Sequence, residues 1–133
     1  MLKEKLVLFL LSVFFGLGSF FSFYVAPTLF KTLEKSQAGT VVEKVFPVYF
    51  AIGLVLVLVS LILGFNFGKI FITLVVLNLI LLLIQEFFII PTAHTLKQTN
   101  YQLFLKYHGI SMAINLGILI LTFIKILILI LKR

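Results

Sequence analysis

Four long apolar runs dominate this sequence, at residues 6–30, 45–67, 70–90 and 110–131. Each is close to the roughly 20 residues that an α-helix needs to cross about 30 Å of hydrocarbon. The runs are continuous and lack a period of two, which excludes a transmembrane β-barrel. With 62% hydrophobic and 11% charged residues, the 133-residue chain cannot cover itself with a polar surface. The sequence therefore predicts an all-α membrane protein, an antiparallel bundle of four transmembrane helices.

The predicted domain organisation is a single four-helix domain, residues 1–133, with helices at about 6–30, 41–67, 70–90 and 108–131. In the polar stretch after helix one, Gly39 is suited to end a helix, and Thr40 with Glu43 forms a capping box. Helix two is accordingly expected to begin near Val41. No internal repeat is evident in the sequence.

Two prolines are expected to shape the helices. Pro47 falls in the early turns of helix two, where it removes a backbone donor and is expected to bend the helix. Pro91 is expected to end or kink helix three. The mixed polar and apolar residues 92–107 then predict an interfacial segment lying on the membrane between helices three and four.

The net charge of +7 comes from residues at the ends of the apolar runs, so it indicates anchoring at lipid headgroups rather than nucleic-acid binding. With four spans, both termini share one side. We predict that this side is the cytoplasmic face of the inner cell membrane, because the tie between the two sets of basic residues is broken by Lys125, which could snorkel toward it. The two sets are Lys3, Lys5, Lys69, Lys132 and Arg133 on that side, and Lys31, Lys35, Lys44, Lys97 and Lys106 on the other.

Polar residues within or beside the apolar runs collect at one end of the predicted bundle. They are Gln85, Glu86, His94, His108, Ser111 and Asn115. On helix four, His108, Ser111 and Asn115 are spaced by three and four residues and share a face. Because polar groups are costly in lipid, the set predicts a polar pocket opening on the outer side. Four residues are expected to line or shape it: Pro27, Pro47, Tyr49 and Pro91.

The functional interpretation makes this pocket a ligand or metal site. Glu86 would supply negative charge, His108 a ring nitrogen, and Gln85, Ser111 and Asn115 hydrogen bonds. Met112, four residues after His108, would add a thioether for a soft cation such as Cu(I).

Each of these residues also has a structural interpretation. Ser111 and Asn115 would only bond a neighbouring helix, and Met112 would only pack. His94 would be a solvated loop residue. Glu86 would pair with one of the headgroup lysines Lys44, Lys97 and Lys106.

Three functions follow. The first is a binding or transport module for a cation or small polar ligand, acting as an oligomer because four helices enclose little lumen. The second is an assembly protein that docks another membrane protein through small-residue faces, namely Ser12, Gly16 and Ser19 on helix one and Gly109, Ala113 and Gly117 on helix four. The third is a haem-dependent redox protein. A bis-histidine b-type haem would need a second well-placed histidine, and only His94 is available.

No motif of phosphate binding, metal-dependent hydrolysis or nucleophilic catalysis is present, so no catalytic residue is assigned and an enzyme is unsupported. The absence of cysteine excludes disulfides, thiolate metal sites and covalently attached c-type haem.

Two motifs carry a resemblance to a known family. Residues 44–50 read Lys-Val-Phe-Pro-Val-Tyr-Phe, and residues 107–117 read Tyr-His-Gly-Ile-Ser-Met-Ala-Ile-Asn-Leu-Gly. With Leu29-Phe30 soon after Pro27, and Pro91-Thr92 after helix three, the sequence resembles the transmembrane-protein-205-like family, whose bacterial members carry a domain of unknown function.

The resemblance implies a four-helix membrane fold and points to Pro47, Tyr49, His108, Ser111 and Asn115. The eukaryotic relatives are linked to resistance against platinum drugs. A remoter similarity, of fold alone, reaches copper-resistance protein D and four-helix haem-binding membrane oxidases.

Overall fold

Four long helices make up the computed structural model, which describes residues 2–131 apart from the side chain of Gln98. All four are long and apolar enough to cross a membrane. Helix one comprises Leu2–Phe20, a π-helical turn Phe21–Val25 and Ala26–Thr32; helix two is Lys35–Gly64; helix three comprises Lys69–Ile84, a π-helical turn Gln85–Ile89 and Ile90–Thr99; helix four is Tyr101–Leu131. The predicted all-α bundle of four membrane-spanning helices is confirmed. Lys132 and Arg133, counted above for topology, lie outside the described residues.

The helices form a ring in which each packs against the next along the chain and helix four closes against helix one. One end of the bundle carries Leu2, Leu131 and the turn at residues 65–68, and we call it the terminal end. In that turn Gly68 has φ +110°, a conformation that an L side chain rarely adopts. The opposite end carries the connections at residues 33–34 and at Asn100, and we call it the cavity end.

Helix two begins six residues earlier than Val41, at Lys35, so the prediction for its start was wrong. Gly39 lies inside the helix. The capping box does not form, because the hydroxyl of Thr40 donates to the carbonyl of Ser36 at 2.9 Å and Glu43 bonds to helix three instead. A polar segment can remain helical where its turns reach the headgroups, since its backbone bonds are made within the helix.

The separate interfacial segment expected at residues 92–107 is absent. Helix three continues through Pro91 to Thr99, and helix four starts at Tyr101. Asn100 alone breaks the helix, and its side-chain oxygen accepts a hydrogen bond from the backbone N–H of Leu103 at 3.2 Å. An N-cap of this kind satisfies a free donor of the next helix, so the chain reverses direction at one residue.

Each of the two π-helical turns precedes a proline, at Pro27 in helix one and Pro91 in helix three. Proline lacks an N–H and its ring clashes with the carbonyl four residues earlier, so an ordinary helix would break there. A π-helical turn widens the helix locally and relieves that clash. Helix three is therefore reshaped before Pro91 but not ended by it.

The structure also reveals a repeat that the sequence did not. The π-helical turn of helix one, Phe21–Val25, and that of helix three, Gln85–Ile89, are separated by an offset of 64 residues. Four buried positions of helix one, Val7, Leu11, Phe14 and Gly18, recur with the same offset in helix three as Phe71, Val75, Asn78 and Leu82. Five buried positions of helix two recur 65 residues later in helix four, as Phe50, Gly53, Val57, Ser60 and Gly64 become Asn115, Ile118, Thr122, Lys125 and Leu129. The bundle thus consists of two helical hairpins whose buried positions partly coincide, as in membrane proteins built from parallel repeats.

Candidate functional site

A cavity of about 430 Å³ lies at the cavity end, and all four helices contribute to it. Its wall is largely apolar, with Phe30 from helix one, Val42, Phe46 and Pro47 from helix two, Ile89, Ile90 and Ala93 from helix three, and Phe104 and Leu105 from helix four. Binding cavities for small molecules have volumes of about 300–1,000 Å³, apolar walls and a few placed polar groups. This cavity has those properties.

Three polar side chains of the cavity form one ion cluster between helices two and three. One carboxylate oxygen of Glu43, Oε2, accepts from Lys97 Nζ at 2.8 Å, and the other, Oε1, contacts His94 Nδ1. The side chains of Glu43 and Lys97 are 29% and 26% exposed, whereas that of His94 is 66% exposed. The cluster therefore lies where the cavity opens to the surroundings. Lys35, which also lines the cavity, adds a second cation.

His108 lines the same cavity from helix four. Its ring stacks on Phe104, with centroids 6.1 Å apart, and lies 6.4 Å from the ring of Phe30. No hydrogen bond of this imidazole is made to the part of the chain that the structure describes. The two aromatic rings orient the imidazole, so a ligand in the cavity could reach its nitrogens.

Gln85 and Ser111 join helices three and four just behind the cavity. The Gln85 amide donates to the Ser111 carbonyl at 2.7 Å, and the Ser111 hydroxyl donates to Gln85 Oε1 at 2.8 Å. Gln85 is fully buried, while Ser111 also lines the cavity. This pair bonds two helices, as the structural interpretation of Ser111 proposed.

Asn115 lies one turn deeper and joins three helices. Its side-chain oxygen accepts from the Tyr49 hydroxyl at 3.0 Å, and its amide donates to Ser22 Oγ at 2.7 Å. Tyr49 stacks on Phe14 at 5.3 Å. Asn115 and Tyr49 support the cavity from below, and neither lines it.

Two predicted ligand residues lie outside the cavity wall. Glu86 is partly exposed on the π-helical turn of helix three, and within the described part of the chain it makes no ion pair with Lys44, Lys97 or Lys106. Met112 is half exposed on the outer surface of helix four. Of the four predicted pocket-shaping residues, Pro47 lines the cavity, whereas Pro27 and Pro91 follow the π-helical turns.

His94 was expected in a solvated loop, but it lies on helix three and contacts the acid of the ion cluster. Glu43 and Lys97 were missed as site residues. The sequence signal for both was their closeness to a proline near this end of the bundle. Glu43 lies four residues before Pro47, and Lys97 lies six residues after Pro91. Among residues 2–131, no group of three or more His, Cys, Asp and Glu side chains is arranged to hold a metal ion.

A second set of polar residues is buried toward the terminal end. The Asn78 amide donates to the Thr122 hydroxyl at 3.0 Å. Lys125 is fully buried, and its Nζ has no hydrogen-bond partner within the described part of the chain. The expectation that Lys125 snorkels to the membrane surface was wrong, because its side chain is fully buried within the bundle.

The fold and cavity define a class, a small polytopic membrane protein of four helices with a mainly apolar cavity at one end. The sequence matches the family described as "Domain of unknown function (DUF4149)" over residues 9–102, so the chain belongs to that family. It is also 69% identical over 132 residues to an "Uncharacterized protein" of Aquifex aeolicus (strain VF5), covering 99% of this chain and 100% of that protein. No solved structure matches the chain.

Proposed function

We propose that this protein is a ligand-binding module of the membrane and that its binding site is the cavity among the four helix ends. The observation that supports the proposal is the combination of an apolar cavity of about 430 Å³ with one ion cluster at its opening. Such a wall suits a ligand with an apolar body better than a hydrated cation, which would require oxygen ligands around it. The proposal therefore moves the predicted ligand from a cation or small polar molecule to a larger, partly apolar one.

A plugged cavity tests the proposal. In Ala93→Phe the ring would fill space that the wild-type Ala93 leaves open in the cavity wall. Ala113→Phe is the matched control, because Ala113 is exposed on the outer surface of helix four. Native mass spectrometry of protein purified in mild detergent should find a bound small molecule in the wild type and in Ala113→Phe but not in Ala93→Phe. Equal occupancy in all three proteins would refute the cavity as the site.

The same preparations test the metal and haem alternatives. His94 and His108 both line the cavity, which is the donor pair that a bis-histidine haem requires. Visible absorption would show a Soret band if haem were bound, and elemental mass spectrometry would detect the soft metals suggested by the resemblance to the transmembrane-protein-205-like family and copper-resistance protein D. If the wild type shows either signal and folded His108→Ala loses it, the ligand of the cavity is that haem or metal and not an apolar molecule.

An assembly role is the second candidate, and it is supported by small residues that the bundle leaves on its outer surface. Ser12, Gly16, Gly109 and Ala113 are exposed, and a Cβ atom added at Gly16 or Gly109 would meet nothing within 4 Å. Such faces let a second helix approach closely in lipid. Under this hypothesis Gly109→Leu disrupts a complex recovered by mild-detergent purification, whereas Ala93→Phe leaves it intact. The reverse result would favour the cavity.

A further inference from the structure

We infer that the cavity binds a single-chain amphiphile with an anionic head, and that this head competes with the Glu43 carboxylate for Lys97 and His94. The inference rests on the proposed function, because it names the chemical class of ligand for the same cavity. The proposed function rests on the size and wall of the cavity, whereas this inference rests on the arrangement of Glu43, Lys97 and His94 in the ion cluster.

The cluster is already arranged as a carboxylate-binding pair. Lys97 Nζ binds one oxygen of the Glu43 carboxylate at 2.8 Å and His94 Nδ1 contacts the other. Two donors spaced to bind the two oxygens of one carboxylate would bind those of another, because the spacing of the two oxygens is the same in every carboxylate. The anionic head of a ligand would therefore find both donors in place once Glu43 turned away.

The charges lining the cavity favour an anion over a cation. Lys35 and Lys97 are the two lysines of the lining, and Glu43 is its one carboxylate in the part of the chain that the structure describes. An anionic head would therefore meet more positive than negative charge among the lysines and carboxylates of the lining. A cationic head would instead meet two like charges, which destabilise close approach.

The shape of the wall indicates the rest of the ligand. Outside the ion cluster most lining residues are apolar, and they include Phe46, Ile89, Ile90, Phe104 and Leu105. The volume of about 430 Å³ is near the lower end of the range for ligand cavities. It therefore suits one acyl chain better than the two chains of a phospholipid.

Binding of tritiated hexadecanoate to the purified full-length protein in mild detergent tests the inference, with unlabelled hexadecanoate and hexadecanol as competitors. These two molecules share the chain and differ in the charge of the head. Hexadecanoate should compete about tenfold better than hexadecanol, the worth of one charge-assisted hydrogen bond. Lys97→Met should abolish that preference by weakening hexadecanoate alone, and Glu43→Gln should tighten hexadecanoate binding by about threefold or more.

Lys44→Met is the matched control, because it removes one positive charge next to Glu43 on helix two while Lys44 is exposed and does not line the cavity. It should leave both affinities unchanged. If circular dichroism shows that Lys97→Met is misfolded, His94→Gln probes the other donor to the same carboxylate, and its retention of the full acid preference would overturn the inference.

The remaining outcomes separate the inference from the proposed function. Equal competition by acid and alcohol, both lost in Ala93→Phe, would refute the anionic head and leave the binding cavity standing. A two-chain anionic phospholipid that competes better than hexadecanoate would refute the single chain. Absence of saturable binding by any of these molecules, with no bound small molecule in the wild-type protein either, would refute both.

Discussion

The hairpin of helices one and two, residues 2–64, and the hairpin of helices three and four, residues 69–131, share several buried positions but carry different side chains at equivalent places. Where the first hairpin has Phe21 and Phe46 in an edge-to-face contact at 5.1 Å, the second has Gln85 and Ser111 in a doubly hydrogen-bonded pair. Where the first has Ser60, the second has Lys125. The same backbone plan therefore accommodates an aromatic half and a polar half.

The difference extends to the cavity. Glu43 of helix two and His108 of helix four differ by the same 65 residues that relate the buried positions of these helices, 108 against 43, and both line the cavity. Equivalent positions on the two hairpins thus present an acid and an imidazole to one space. The site is therefore shared between two hairpins of similar plan, which is why no single sequence motif contains it.

Side-chain size is also complementary between the hairpins. Gly18 and Gly53 of the first correspond to Leu82 and Ile118 of the second. A Cβ atom on Gly53 would lie 2.9 Å from Phe14 Cε1 and 3.0 Å from Leu82 Cδ2, and one on Gly18 would clash with the Tyr49 hydroxyl and lie 2.7 Å from Leu119 Cδ2. Each glycine therefore makes room for an aromatic ring of its own hairpin and for a leucine of the other, so the hairpins are not interchangeable.

The largest loss of stability is expected from Gly18→Leu, which introduces the residue found at the equivalent position, Leu82. Gly18→Leu would force the Tyr49 ring and Leu119 apart, and overpacking at such distances should cost at least about 3 kcal/mol of stability or prevent folding. The measurement is thermal unfolding in detergent, followed by circular dichroism and by size-exclusion recovery.

Gly16→Leu is the control, since Gly16 is exposed on the same helix and a Cβ atom there would meet nothing within 4 Å. It should change stability by no more than about 0.5 kcal/mol. Similar losses in the two variants would show that the close packing of helices one, two and four at Gly18 does not hold the bundle together.

Removing the charge of the second hairpin's buried lysine should stabilise the protein. Lys125 is fully buried and its Nζ has no hydrogen-bond partner within the described residues, so Lys125→Met keeps most of the volume and removes an uncompensated polar group. We expect a gain of about 1–3 kcal/mol in the same unfolding measurement. Lys69→Met, at an exposed position of the terminal end, should be neutral. A destabilised Lys125→Met would indicate that the amine has a bound partner in the membrane.

The sequence predicted what depends on hydrophobicity alone. Four apolar runs of sufficient length specify four spanning helices whatever their side-chain contacts, so the fold class was correct. The spacing of His108, Ser111 and Asn115 likewise gave their common face, because helical periodicity is local.

What the sequence did not reveal depends on distant partners or on the ends of helices. Glu43 appeared to be a cap because the sequence does not show that Lys97 and His94 lie beside it on another helix. Residues 92–107 appeared interfacial because polar composition does not distinguish a loop from helix turns that extend into the headgroups. The repeat was hidden because burial, and not residue identity, is what recurs.

A double-mutant cycle should show that the hydrogen-bonded pair and the aromatic pair are worth similar amounts despite their different chemistry. For Gln85→Leu and Ser111→Ala, the coupling energy reports the bond from the Ser111 hydroxyl to Gln85 Oε1, because the backbone carbonyl of residue 111 remains in the alanine variant. It should be about 0.6–2 kcal/mol, the range for interhelical hydrogen bonds in membranes. For Phe21→Leu and Phe46→Leu, it should be about 0.5–1.5 kcal/mol, the range for an aromatic pair. Both follow from denaturation in mixed micelles with increasing ionic detergent. Equal couplings would mean that the polar pair joins its helices no more strongly than the aromatic pair does, whereas a Gln85–Ser111 coupling several times larger would make the polar pair the stronger link.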